Sequence, residues 1–155
     1  MRSDYSDYFR RLSDRANAAV KVPFREVRLD GEQPKLNDCH GNVDRWVKKH
    51  PETEAVRGWL FWGANEAGQY LFMAHSILDE NGQLVDITPL DRNTPREGLI
   101  FLEHLGTEED FLEMKSSCAQ VLYPPLSVAS WQESQVAEFG GGMIQSGEDT
   151  GLEWN

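Results

Sequence analysis

The first hydrophobic positions of the chain, Tyr5, Tyr8, Phe9, Leu12, Ala16 and Ala19, recur at helical spacing, with Arg10, Arg11, Asp14 and Arg15 largely on the other face. This pattern predicts an amphipathic helix that packs on the body of the domain. VPFREVRL (22–29) alternates loosely and predicts a short strand, and DGEQPKLN (30–37) carries the residues of a loop. From Asp38 to His50 the spacing is helical again: Val43, Trp46 and Val47 share a face, Asp38 is placed to cap the first N–H groups, and Pro51 helps to stop the helix. Cys39 then falls in the first helical turn.

The pattern next changes to strands. AVRGWLFW (55–62) and QYLFMAHSIL (69–78) are rich in β-formers, with a turn at Asn65 to Gly68 between them. QLVDIT (83–88) follows Asn81-Gly82, and GLIFLEH (98–104) reads as a fourth strand. Thr107 with Asp110 forms a capping-box pattern for a helix running to Ser116. The expected architecture is α+β, a Cys-bearing helix packed on an antiparallel sheet. The expected organisation is one domain over 1–131 and an acidic, Gly-rich, partly ordered tail over 132–155.

Charge narrows the partners. With 26 acidic against 15 basic residues the net charge is −11, and that field repels nucleic acid and anionic membrane surfaces alike. No stretch approaches the roughly 20 apolar residues of a membrane span, and the opening MRSDYSDYFRR is charged where a secretory signal is apolar. A soluble, cytoplasmic protein is expected, with Cys39 and Cys118 as reduced thiols and oligomeric state undetermined.

The candidate chemistry lies in HSILDENGQLVDITPL (75–90). If Asn81-Gly82 forms a two-residue turn, Glu80 faces Gln83, Leu78 faces Val85 and Ile77 faces Asp86. His75, Ile77 and Asp86 then share a sheet face, with Asp86 diagonal to His75; a slip of one residue would part them. A carboxylate beside an imidazole fixes its tautomer and supports its charged form, as a general base requires. Cys39 is the matching nucleophile, because a helix N-terminus favours a thiolate.

The segments DCHGNVDRW (38–46), AVRGWLF (55–61), HSIL (75–78) and VDITP (85–89) together resemble the transglutaminase-like branch of the papain-like cysteine enzymes. Ile77 and Ile87 stand where that branch commonly has tryptophan and proline. The resemblance covers about residues 38–90 and implies a papain-like fold, with Cys39 as nucleophile, His75 as base and Asp86 as its orienting partner. It also implies a thioester intermediate and a protein or peptide amide as substrate, with hydrolysis or deamidation expected ahead of cross-linking. Asp38-Cys39-His40-Gly41 is similar, too, to the Asp-Cys-Ser-Gly of papain-like cell-wall endopeptidases. By the same likeness Gln33 takes the place of an oxyanion-binding glutamine, beside the Cys39 N–H. No metal or organic cofactor is implied.

Each residue also has a plainer role. A cysteine at a helix start is often a small buried filler, a strand histidine a satisfied core residue, and a hairpin aspartate a turn cap. His40 lines the cleft or faces solvent, Asn42 touches substrate, caps a loop or is a solvated helix residue, and Trp59 is core unless it walls a substrate groove. Cys39, His40, His75 and His104 lack the paired spacing of a zinc site. The competing function is a non-catalytic protein of the same fold that binds another protein as an adaptor, immunity protein or inhibitor.

Overall fold

A computed structural model describes residues 5–126 of the chain. The expected tail, 132–155, lies outside the described residues. Helix α1 (Ser6–Asp14) buries Tyr8, Phe9 and Leu12, the stripe its spacing predicts. Helix α2 (Cys39–Lys49) is followed by strands β1 (Glu54–Phe61), β2 (Tyr70–Glu80), β3 (Gln83–Val85) and β4 (Ile100–Glu103). Helix α3 (Glu108–Ser117) and strand β5 (Gln120–Tyr123) follow, and the described residues form an α+β arrangement. Among the described residues no helix is long and apolar enough to cross a membrane.

The sheet is antiparallel, ordered β3-β2-β1-β4, with β5 also on β2. Asn81 and Gly82 take positive φ values of 56° and 89°, the conformation a tight hairpin demands, and the pairing is the one expected: Glu80 with Gln83, Asp79 with Leu84, Leu78 with Val85. β2 is buried on both faces. Trp59, Phe61, Phe72, Ala74 and Leu102 share one face and pack with Phe9 and Leu12 of α1 and Phe111 and Met114 of α3. Farther along the same face, Leu78 and Val85 meet Val43, Trp46 and Val47 of α2. Leu60, Met73, His75, Ile77 and Phe101 occupy the opposite face and are buried as well.

Two expectations change, and one strand is added. VPFREVRL is not a regular strand: Val20, just ahead of it, bridges to Phe101 at the β4 edge and Phe24 bridges to Asp86 beyond β3, so residues 20–25 tether the two edges of the curled sheet. Pro23 has no N–H to give a ladder, although its carbonyl accepts from Asp86 N at 2.9 Å. Strand β3 stops at Val85 instead of reaching Thr88, because the backbone of Asp86 turns to that tether and not to β2. Strand β5 was not foreseen; four residues ahead of Pro124-Pro125 give too short a pattern to recognise. Thr107 does cap α3, accepting from Asp110 N at 3.1 Å.

Candidate active site

One edge of β2 is divided between two partners. β5 pairs with Tyr70 to Met73, and β3 pairs with Leu78 to Glu80. The first turn of α2 comes to the stretch between them. His40 reaches Ser76, and Cys39 lies beside His75, so consecutive residues of the helix meet consecutive residues of the strand that point to opposite sheet faces. Such a meeting is possible only where a sheet edge is open. The approach is fixed by Asn42, whose side chain accepts from Lys35 N at 3.2 Å and donates to Lys35 O at 2.9 Å and Thr88 Oγ1 at 3.2 Å. Asn37 N adds a bond of 3.0 Å to Pro89 O. The loop before α2 is thereby fastened to the segment that follows Asp86.

His75 and Asp86 share the sheet face that the hairpin register predicts, and His75 Nε2 lies 2.9 Å from Asp86 Oδ2. Both are buried, His75 wholly so. Oδ1 of Asp86 accepts from Thr88 N at 3.1 Å, and Oδ2 also accepts from Arg96 Nη1 at 3.2 Å. Arg96 lies over the Phe24 ring, 4.2 Å from its centroid, and donates through Nη2 to Thr88 O. Burial, the largest influence on His75, opposes its charge, but Asp86 and the Cys39 side chain prevail and raise its pKa to about 10. For Asp86 burial again works against the charge, yet His75, Arg96 and the Thr88 N–H hold its carboxyl below the usual carboxylate range. With Nε2 on the carboxylate, His75 keeps Nδ1 buried, and the Cys39 side chain bonds to the ring as well.

Cys39 is fully buried at the start of α2. Asp38 does not cap this helix with its side chain. Its carboxylate instead lies over Gly41, where a Cβ would meet Oδ2 at 2.7 Å. His40 is turned toward α3, its ring 5.7 Å from that of Phe111, and its Nδ1 is 2.6 Å from Ser76 Oγ. Burial foremost, then the positive charges of Lys115, His75 and Arg57, push the pKa of His40 down to about 2. Arg57 Nη1 donates to the same hydroxyl at 2.8 Å, so the Ser76 O–H is directed to Nδ1 and His40 carries its proton on Nε2.

Gln33, Trp59 and His104 are not brought to this cluster. Gln33 is exposed, because the loop that carries it closes on itself through paired bonds between Leu29 and Glu32 of 2.7 and 3.0 Å. Trp59 is fully buried among the α1 residues, its Nε1 donating to Tyr8 Oη at 2.8 Å, and walls no groove. His104 is held by Tyr8 Oη at Nδ1 and by Thr107 O at Nε2, both at 2.8 Å. Asn42 acts as a loop fastener. Among the described residues no group of three or more His, Cys, Asp and Glu side chains is placed to hold a metal ion, and no disulfide joins Cys39 to Cys118.

Arg96, Ser76 and Arg57 were not legible as participants. Arg96 lies in a loop of no periodicity, and Ser76 and Arg57 acquire their roles only through the β1–β2 register that sets them opposite each other. The chain matches no family model, no curated protein and no solved structure with which it was compared.

Proposed function

We propose that the protein is a cysteine-dependent amidohydrolase or acyltransferase of papain-like, transglutaminase-like type. The observation that carries this reading is the 2.9 Å contact of His75 Nε2 with Asp86 Oδ2, with Cys39 beside the same imidazole at a helix start. The Cys39 thiolate attacks an amide carbonyl, and the resulting oxyanion is met by the Cys39 backbone N–H at the head of α2. His75 gives its proton to the departing amine as the C–N bond breaks, leaving a thioester. It then takes a proton from water or an incoming amine as that nucleophile attacks the thioester; the C–S bond breaks, the acyl product leaves, and the Cys39 thiolate is restored beside protonated His75. Asp86 keeps the imidazole oriented throughout. A protein or peptide amide is the proposed substrate class.

The burial of Cys39 and His75, each with 0 % of its surface exposed, favours a second reading. In that reading the protein keeps the fold but binds a partner protein without catalysis. The two are separated by alkylating the folded protein with iodoacetamide across pH, following Cys39 by peptide mass spectrometry with the buried Cys118 as internal control. The catalytic reading expects rapid modification of Cys39 near neutral pH and loss of that advantage in His75→Ala. Modification of Cys39 no faster than of Cys118, in both proteins, would reject it in favour of the binding protein.

A further inference from the structure

Asp86 Oδ2 accepts from two cations at once, His75 Nε2 at 2.9 Å and Arg96 Nη1 at 3.2 Å. Arg96 is itself set in place at three points: the carboxylate, the Thr88 carbonyl, and the face of Phe24. Its side chain is 32 % exposed while the carboxylate is 2 % exposed. A cavity of about 440 Å³, lined by Phe24, Leu60, Asp86, Arg96 and Leu99 among others, runs from solvent to this point. Arg96 is therefore the outermost member of a chain running Arg96, Asp86, His75, Cys39.

Charge counting gives it a role. With Asp86 ionised and Arg96 present, the state with a thiolate at Cys39 and a proton on His75 has two positive and two negative charges and is neutral as a whole. Without Arg96 that state carries a net negative charge in a buried place, and the balanced state becomes thiol, imidazolium and carboxylate. We propose that Arg96 is a positioning residue of the site, which acts through Asp86 to balance the buried charge and so make the reactive thiolate accessible at lower pH. This deepens the catalytic reading above and rests on it.

The other charged groups facing the chain are His40 on α2, Lys21 and Glu97 at the cavity, and Arg57 on β1 and Lys115 on α3 behind His40. None of these bonds to the Asp86 carboxylate, whose hydrogen-bond partners among the described residues are His75, Thr88 and Arg96. Arg96 alone thus adds a positive charge directly to the carboxylate that His75 uses.

The test compares wild type, Arg96→Gln and Arg96→Lys by two readouts: the pH profile of Cys39 alkylation by iodoacetamide, and the NMR titration of the His75 imidazole. Arg96→Gln is expected to move both curves to higher pH together, by about one unit, as loss of an adjacent charge does. Arg96→Lys should restore most of the shift. A merely loosened structure would change the rate of alkylation without moving its midpoint, or move the two curves in opposite directions, and either result overturns the proposal. If Arg96→Gln does not fold, Phe24→Leu weakens the same clamp at an exposed position; it should move both curves the same way by a smaller amount, and unmoved curves again overturn it. A wild-type Cys39 that resists alkylation rejects the catalytic reading, and the His75 titration then still decides whether Arg96 sets the charge of the carboxylate. Unmoved curves in Arg96→Gln with a reactive wild-type thiol reject Arg96 alone.

Discussion

His40 makes the stability of the protein depend on pH below the ordinary histidine range. Its pKa is about 2 in the folded protein, because burial and the nearby positive charges of Lys115, His75 and Arg57 oppose protonation. In the unfolded chain a histidine titrates near 6.5. Below that pH the unfolded state takes a proton that the folded state refuses, so stability is present above the unfolded value and is lost as pH falls. The slope approaches about 1.36 kcal/mol per pH unit, which amounts to about 2.5 kcal/mol between pH 7 and 4.5. His75 adds no slope in the acid part of this window: its raised pKa leaves it protonated in both states below about 6.5, and its contribution is lost only as pH rises toward about 10. Asp86, with its lowered pKa, loses its contribution below the ordinary carboxylate range. Urea unfolding of wild type and His40→Gln at pH 7 and 4.5 isolates the effect as a difference of differences, in which groups common to both proteins cancel. Wild type should lose about 2.5 kcal/mol more than the variant over this interval. Equal losses would mean that His40 accepts a proton in the folded protein, and the account of its buried, Nε2-protonated ring would be wrong.

Two further substitutions probe the scaffold around the site. Gly58 lies opposite His75 in the β1–β2 register, and a Cβ there would meet Leu102 O at 2.4 Å and the Phe101 ring at 2.5 Å. Gly58→Ala should cost about 3 kcal/mol in a urea melt, since a backbone oxygen cannot swing aside, whereas Gly63→Ala, with nothing within 4 Å, serves as the near-neutral control. Asn42→Ala removes the fastening between Lys35 and Thr88 and should cost about 2 kcal/mol. Faster amide exchange over residues 35–38 than in the rest of the protein would accompany it, and unchanged exchange there would refute the fastening role.

Much of the layout was legible because local rules and tertiary packing agree. The Asn81-Gly82 turn admits one register, and that register decides which face Asp86 takes; alternation along β2 then places His75 on the same face. The stripe of α1 and the Thr107 cap were equally direct. What stayed hidden depends on residues far apart in sequence. Trp59 looks alike in sequence whether it lines a groove or fills a core, and only the Tyr8 hydroxyl, 51 positions away, decides. The tether at residues 20–25 bonds through two isolated bridges, which leave no periodic trace. Arg96 gains its place from the path of the chain after β3, which strand propensity continued as far as Thr88.

The Tyr8 hydroxyl also bears on how the chain matures during synthesis. It accepts from Trp59 Nε1 and Leu105 N and bonds to His104 Nδ1, so its partners are made 51 to 97 residues after it. The stripe of α1 packs on Leu102, Phe111, Met114 and Val121 as well. At roughly 5–20 residues per second of translation, α1 leaves the ribosome many seconds before its seat exists. Helix α1, made before the other described elements, is thus among the last of them to dock, and until then Phe9 and Leu12 are open to chaperones or to a neighbouring chain.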